Sequence, residues 1–164
     1  MSRNVKQKTV RNILISILAL ITLASAPYAL SHMVRGESMQ SFRQSYFTLL
    51  AMSFGPIGAM VKGDVPWDDA KVLSLAEDIS AIASIDVAKA FGPGSDKGTT
   101  RAKPEIWENT DDFIAKYRKF QEASAALLVA AQSGDENAVK GAFRQTGGTC
   151  KGCHDEYKSK DYLY

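Results

Sequence analysis

Apolar positions along this chain recur at intervals of three and four rather than two, which predicts helices and no strand. A first helix is expected from about Gly36 to Met60, with Met39, Phe42, Tyr46, Phe47, Leu49 and Leu50 on its apolar face. Gly55-Pro56 should kink it or end its regular part, because proline removes a donor and crowds the preceding turn. After a turn at Lys62-Gly63-Asp64, a second helix should start near Pro66, with Asp68 and Asp69 beside the positive end of its dipole. Its apolar positions Val72, Leu73, Leu75, Ala76, Ile79, Ile82 and Ala83 carry it to about Ala90. The stretch from Phe91 to Gly98 is rich in glycine and proline and reads as loop. A third helix is expected from about Lys103 to Gln132, through Ile106, Trp107, Phe113, Ile114, Tyr117, Phe120, Leu127 and Leu128. Ser133-Gly134-Asp135 stops it. Asp135 is placed to cap a fourth helix that reaches about Lys160 through Val139, Phe143, Cys150 and Tyr157, weakened at Gly147-Gly148. Such amphipathic helices of roughly 20–30 residues with short links are the parts of an antiparallel bundle, so the fold class is all-α.

The earliest apolar run follows another pattern. It spans 11 residues from Ile13 to Leu23, is preceded by Arg3, Lys6, Lys8 and Arg11, and is followed by Ala24, Ser25 and Ala26. A positive segment, a short apolar core and a small-residue exit mark a signal peptide over residues 1–31, with cleavage expected between about 26 and 31. The run is shorter than the roughly 20 residues a spanning helix needs, so no membrane segment is expected in the mature form. Residues 32–164 remain as one domain, long enough to bury a core. The whole chain has 20 basic and 18 acidic residues, a formal charge of +2. The leader holds four of the basic ones, leaving the domain slightly acidic and without a basic block that would suggest nucleic acid.

Both cysteines stand in Cys150-Lys151-Gly152-Cys153-His154. Exported cysteines usually pair, but a bridge across two residues would constrain little. Cys-x-x-Cys-His is the attachment signature of c-type haem. On a helix, Cys153 lies about 60° to one side of Cys150 and His154 about 40° to the other. Both thiols can therefore reach the two vinyl groups of one porphyrin while the imidazole meets the iron. A thioredoxin-type redox pair would need a βαβ context, and a zinc site would need more ligands than the chain offers. The expectation is one covalent haem c on Cys150 and Cys153, with His154 as axial iron ligand. In bacteria such motifs are loaded outside the cytoplasm, which agrees with a leader and a periplasmic location.

A haem motif at the end of the last helix resembles the class II c-type cytochromes. Several stretches resemble cytochrome c′ in particular: Phe42-Arg43-Gln44-Ser45, Phe54-Gly55, Val61-Lys62-Gly63, Ala90-Phe91-Gly92-Pro93-Gly94, Pro104-Glu105-Ile106-Trp107 and Cys150-Lys151-Gly152-Cys153-His154-Asp155. They cover the chain from about Val34 to Lys160. The resemblance implies an up-down-up-down four-helix bundle and a five-coordinate, high-spin iron that binds NO and CO. It places Phe47 over the distal face, where periodicity alone would read an ordinary core aromatic. It gives Arg43 a haem propionate to bind, and it sets Lys158 in the proximal pocket, where many relatives have arginine. A lysine there lacks the planar fork, and the proximal residue helps decide on which side nitric oxide finishes. Phe91, Trp107 and Tyr157 line the pocket edge on this reading, and a plain core role is the other reading of each.

The implied role is electron transfer with redox partner proteins or protection against nitric oxide, in a homodimer built on the first two helices. No acid/base constellation argues for an enzyme. The alternative is a low-spin electron carrier with Met39 as sixth ligand, although Met39 is two turns from Phe47, about 12 Å along the axis.

Overall fold

The computed structural model describes residues 37–163. The expected leader lies outside the described residues. Residues from Met39 on form one compact unit. Its helices are α1 (Ser38–Lys62), α2 (Asp69–Ala83), a 3₁₀ turn (Val87–Phe91), α3 (Glu105–Glu108), α4 (Thr110–Ser133) and α5 (Glu136–Tyr157). The long helices α1, α2, α4 and α5 make a four-helix bundle, and the described residues contain no strand beyond one isolated bridge, Ala102 to Lys158.

One core cluster joins Ile57 and Met60 of α1, Val72, Ala76 and Ile79 of α2, Leu127 and Ala131 of α4, and Val139 of α5. Of the two expected effects of Gly55-Pro56, a kink or an end to the helix, the end does not occur: α1 runs unbroken through it. The residues after the proline are held by packing: Ile57, Gly58 and Met60 are buried. A Cβ on Gly58 would lie 3.1 Å from the Phe143 ring, so glycine admits α5 closely there. Gly147-Gly148 likewise leaves α5 intact.

Two expected helices divide. The second starts at Asp69 rather than near Pro66, capped by Asp68, whose side chain accepts from Lys71 N. It stops at Ala83 rather than Ala90 because side chains of α4 take the carbonyls there. Tyr117 Oη donates to Ala83 O (3.0 Å) and Ile85 O (2.5 Å), and Gln121 Nε2 donates to Ala83 O (2.8 Å). The third breaks at Asn109, whose φ of −124° and ψ of 47° interrupt the helix. Its side-chain amide donates to Glu105 O, one of the local bonds by which asparagine competes with helix. Asp135 caps α5 as expected, accepting from Asn137 N and Ala138 N. Gly134 ends α4 with φ of 69°, a left-handed conformation suited to glycine.

Helix α5 ends at Tyr157, three residues short of expectation. Beyond it the chain turns extended and runs against residues 100–103: Lys103 N donates to Tyr157 O, Ser159 N to Arg101 O and Leu163 N to Thr100 O. Those bonds replace the helical ones that Lys160 would otherwise need.

Candidate haem site

The last two turns of α5 carry Cys150, Cys153 and His154 at the end of the bundle away from the Ile57–Val139 core. Both cysteines are free and half-buried. Cys150 packs on a cluster of Tyr46, Ala83, Val87, Tyr117 and Phe120. Cys153 packs on Ile106, Phe113 and Tyr157. Helix α5 thus turns its two thiols toward two different apolar groups, with His154 beside them and partly exposed. Burial raises the Cys150 thiol and pushes Cys153 up to about 11, so both are protonated at neutral pH. His154 is shifted the other way, by burial first and then by the charges of Lys158 and Arg101. The neutral imidazole, the form that ligates iron, is therefore favoured.

Across from His154 stands Phe47. Their ring centroids are 6.3 Å apart and nearly edge-on, and Phe47 is 41 % exposed. It also meets Tyr46 edge to face at 5.1 Å. Met39 on the same helix is 46 % exposed. Lys158, also exposed, donates its backbone N–H to His154 O at 3.2 Å.

Arg43 is buried, 4 % exposed, where a solvated surface arginine would be the default reading. Its Nη1 donates to Ala90 O (3.0 Å) and Ser95 Oγ (3.2 Å), and Nη2 to Ser95 O (2.9 Å) and Thr100 Oγ1 (3.4 Å). The guanidinium lies 4.7 Å from the Phe91 ring centroid and 5.9 Å from that of Trp107. All four acceptors are neutral, so a buried cation is held without a carboxylate among these partners. Burial accordingly lowers its pKa.

Phe91 joins the two halves of the site, packing on both the Tyr46–Phe120 and the Ile106–Tyr157 clusters. Trp107 Nε1 donates to Gly92 O (3.2 Å). Tyr157 is buried, with its ring edge-on to Phe113 and its hydroxyl donating to Asp112 Oδ2 at 2.6 Å. Lys116 reaches both Asp112 and Glu156 at 3.2 Å, and the bonds from Tyr157 and Lys116 hold the Asp112 carboxyl below its usual range.

Sequence reading missed two groups. Gln40 and Gln44 flank Arg43 at helical spacing and donate to Lys97 O (2.5 Å) and Thr99 O (2.8 Å), so three side chains of α1 hold one glycine-rich loop. Three polar residues at i, i+3 and i+4 beside that loop were the available signal. Tyr46 Oη and Tyr117 Oη share a hydrogen bond of 2.9 Å, and burial raises both phenols. Both tyrosines look like plain apolar positions in a periodicity plot.

The donor set fits haem c. Two free thiols stand one turn apart with an imidazole beside them, and a buried guanidinium with neutral partners suits a cofactor that bears carboxylates. Among the described residues no three His, Cys, Asp or Glu side chains converge on a bare metal ion.

Residues 38–158 match the family model for cytochrome C′. The chain is 45 % identical to the cytochrome c′ of Rubrivivax gelatinosus over 128 residues, which is 76 % of this chain and 96 % of that protein. Among solved structures it resembles cytochrome c prime from Shewanella frigidimarina, 47 % identical with a TM-score of 0.69, covering 72 % of this chain and 91 % of the other. A nitric oxide complex of a cytochrome c prime variant from Alcaligenes xylosoxidans is 37 % identical, with a TM-score of 0.70 over 76 % of this chain and 96 % of that one. The bundle and the Cys-x-x-Cys-His end of α5 that it positions are those of a haem c protein, and the chain belongs to the cytochrome c′ family.

Proposed function

We propose that this protein is an exported, periplasmic gas-binding cytochrome that carries one haem covalently on Cys150 and Cys153. The observation behind the reading is Phe47, which meets His154 ring to ring and has no lone pair to offer iron. The bound haem would supply a metal able to take a neutral diatomic ligand. The chain would supply the rest: His154 would be the protein's iron ligand, and Phe47, whose ring faces it, would hinder water and other ligands from reaching the metal. Arg43, whose present acceptors are all neutral, answers the negative charge of a propionate. A solved relative of this chain is a nitric oxide complex, which supports nitric oxide as the ligand, and carbon monoxide is proposed beside it as a second neutral diatomic. Among the described residues no helix is long and apolar enough to cross a membrane. We assign no catalytic turnover to the site.

Covalent attachment has a direct test. After denaturation and acid–acetone extraction the haem is expected to stay with the polypeptide, and Cys150→Ala/Cys153→Ala should release it. Haem passing into the solvent from the unaltered protein would overturn the assignment. An optical spectrum of the ferrous protein reads the spin state, and a high-spin form that binds carbon monoxide is expected.

Self-association is part of the same proposal. On α1, Tyr46 is 3 % exposed and belongs to the core. Phe42, Leu49 and Met52 remain, exposed by 43 %, 50 % and 67 % within an arc of about 80° on α1. A second copy of this chain is the proposed cover for that stripe. Sedimentation at micromolar concentration should give a dimer, and Leu49→Asp should shift it to monomer. A monomer in the unaltered protein would contradict the proposal.

A further inference from the structure

The extended pairing of residues 100–103 with 157–163 places four cations in one ribbon: Arg101, Lys103, Lys158 and Lys160. The ribbon itself holds one acidic residue, Asp161. Of its neighbours on α5, Asp155 is paired with Lys151, and Glu156 shares Lys116 with Asp112. None of the four ribbon cations forms an ion pair with another described residue. Arg101 spends its donors on backbone, from Nε to Ser159 O (2.9 Å) and from Nη2 to Lys160 O, and Lys103 Nζ donates to Glu156 O (2.8 Å). Those bonds fix Arg101 and Lys103 in place and leave their charge uncancelled. Residues 37–163 carry 15 basic and 18 acidic side chains, so the ribbon is a positive island on an acidic protein. It also adjoins the axial histidine, since Lys158 follows His154 by one turn and bonds to its carbonyl.

We propose that this ribbon is the docking face for an acidic redox protein, which exchanges one electron with the haem from the His154 side. A local field of this kind steers an oppositely charged partner even when the net charge opposes the encounter. The proposal rests on the haem reading above and goes beyond it by naming the partner's chemistry and its place of contact. The step moves a single electron: the donor is oxidised by one, ferric haem becomes ferrous, and no bond or proton is transferred.

Stopped-flow reduction of the ferric holoprotein by a reduced plant-type [2Fe–2S] ferredoxin, an acidic one-electron donor of low potential, provides the test. The second-order rate should fall about ten-fold or more between low and roughly physiological-to-double ionic strength, as screening removes the attraction. Lys103→Glu/Lys160→Glu should lower the low-salt rate about ten-fold and flatten its salt dependence. Lys62→Glu/Lys71→Glu makes the same change in net charge at the α1–α2 end, about 22 Å along α1 from Phe47, and should stay within about two-fold. Both variants are to be compared after their haem spectra and carbon monoxide binding match the unaltered protein, which separates loss of docking from loss of haem. Should the doubly acidic ribbon variant fail to fold, Lys103→Gln/Lys160→Gln should give a smaller loss, about three-fold. A rate that rises with salt, or equal effects from the two pairs of substitutions, would show that net charge governs the encounter and overturn the proposal.

Discussion

Phe47→Ala is expected to raise the rate of carbon monoxide association with the ferrous protein by about ten-fold or more. Ten-fold in rate corresponds to about 1.4 kcal/mol of barrier, a reasonable share of the work of moving one aromatic ring out of its contacts. Those contacts are Tyr46 at 5.1 Å and His154 at 6.3 Å between ring centroids. Phe47 belongs to none of the three core clusters, so its truncation should cost less stability than the roughly 3–5 kcal/mol of a core phenylalanine. A large change in ligand kinetics beside a small change in melting temperature is therefore the signature of a cover over the site. A plain core aromatic would show the reverse. Water entry at the opened face should also alter the ferric spectrum. The rival reading, with Met39 as sixth ligand, makes opposite demands. It requires a low-spin ferrous spectrum that Met39→Ala abolishes and carbon monoxide binding that Phe47→Ala leaves nearly unchanged. That pattern would remove both the distal assignment and the gas-binding function.

What the sequence carried well were features with short-range causes. Cys150, Cys153 and His154 sit within five residues, so their geometry follows from helical spacing alone. Asp135 and Gly134 mark a helix end by capping and left-handed backbone, again within a turn. Features with long-range causes were illegible. The end of α2 at Ala83 depends on Tyr117 and Gln121, more than thirty residues away in sequence. The extended tail after Tyr157 depends on residues 100–103, and no local signal near Lys160 opposes helix there. Helix α1 shows the same rule in reverse. A local breaker at Pro56 was overridden because buried Ile57 and Met60 pack against three other helices. The propionate role of Arg43 came from family resemblance, and its burial beneath a loop came only from the fold.

That burial makes Arg43 the residue whose loss should destabilise the site end most. Arg43→Leu keeps much of the side-chain volume but withdraws four hydrogen bonds, leaving Ala90 O and Ser95 O without the guanidinium at 3.0 and 2.9 Å. Ser95 Oγ still donates to Gly92 O, Thr100 Oγ1 still accepts from Ala102 N, and Ser95 O still accepts a long bond from Gln40 Nε2 (3.4 Å), so both hydroxyls and one carbonyl keep another partner. Two buried carbonyls that lose a charged donor should cost about 3 kcal/mol together. For a domain of this size that is a fall of roughly 10 °C in melting temperature. Arg43→Lys should recover less than half of it, since one ammonium cannot span Ala90, Ser95 and Thr100 and cannot lie flat on Phe91. Hydrogen exchange locates the effect: amides of residues 92–100 should lose protection in Arg43→Leu while those of α4 and α5 at the Leu127–Val139 core keep theirs. A surface arginine would cost about 0.5 kcal/mol or less. A melting temperature within about two degrees of the unaltered protein, with the loop still protected, would therefore show that Arg43 does not hold this end of the bundle.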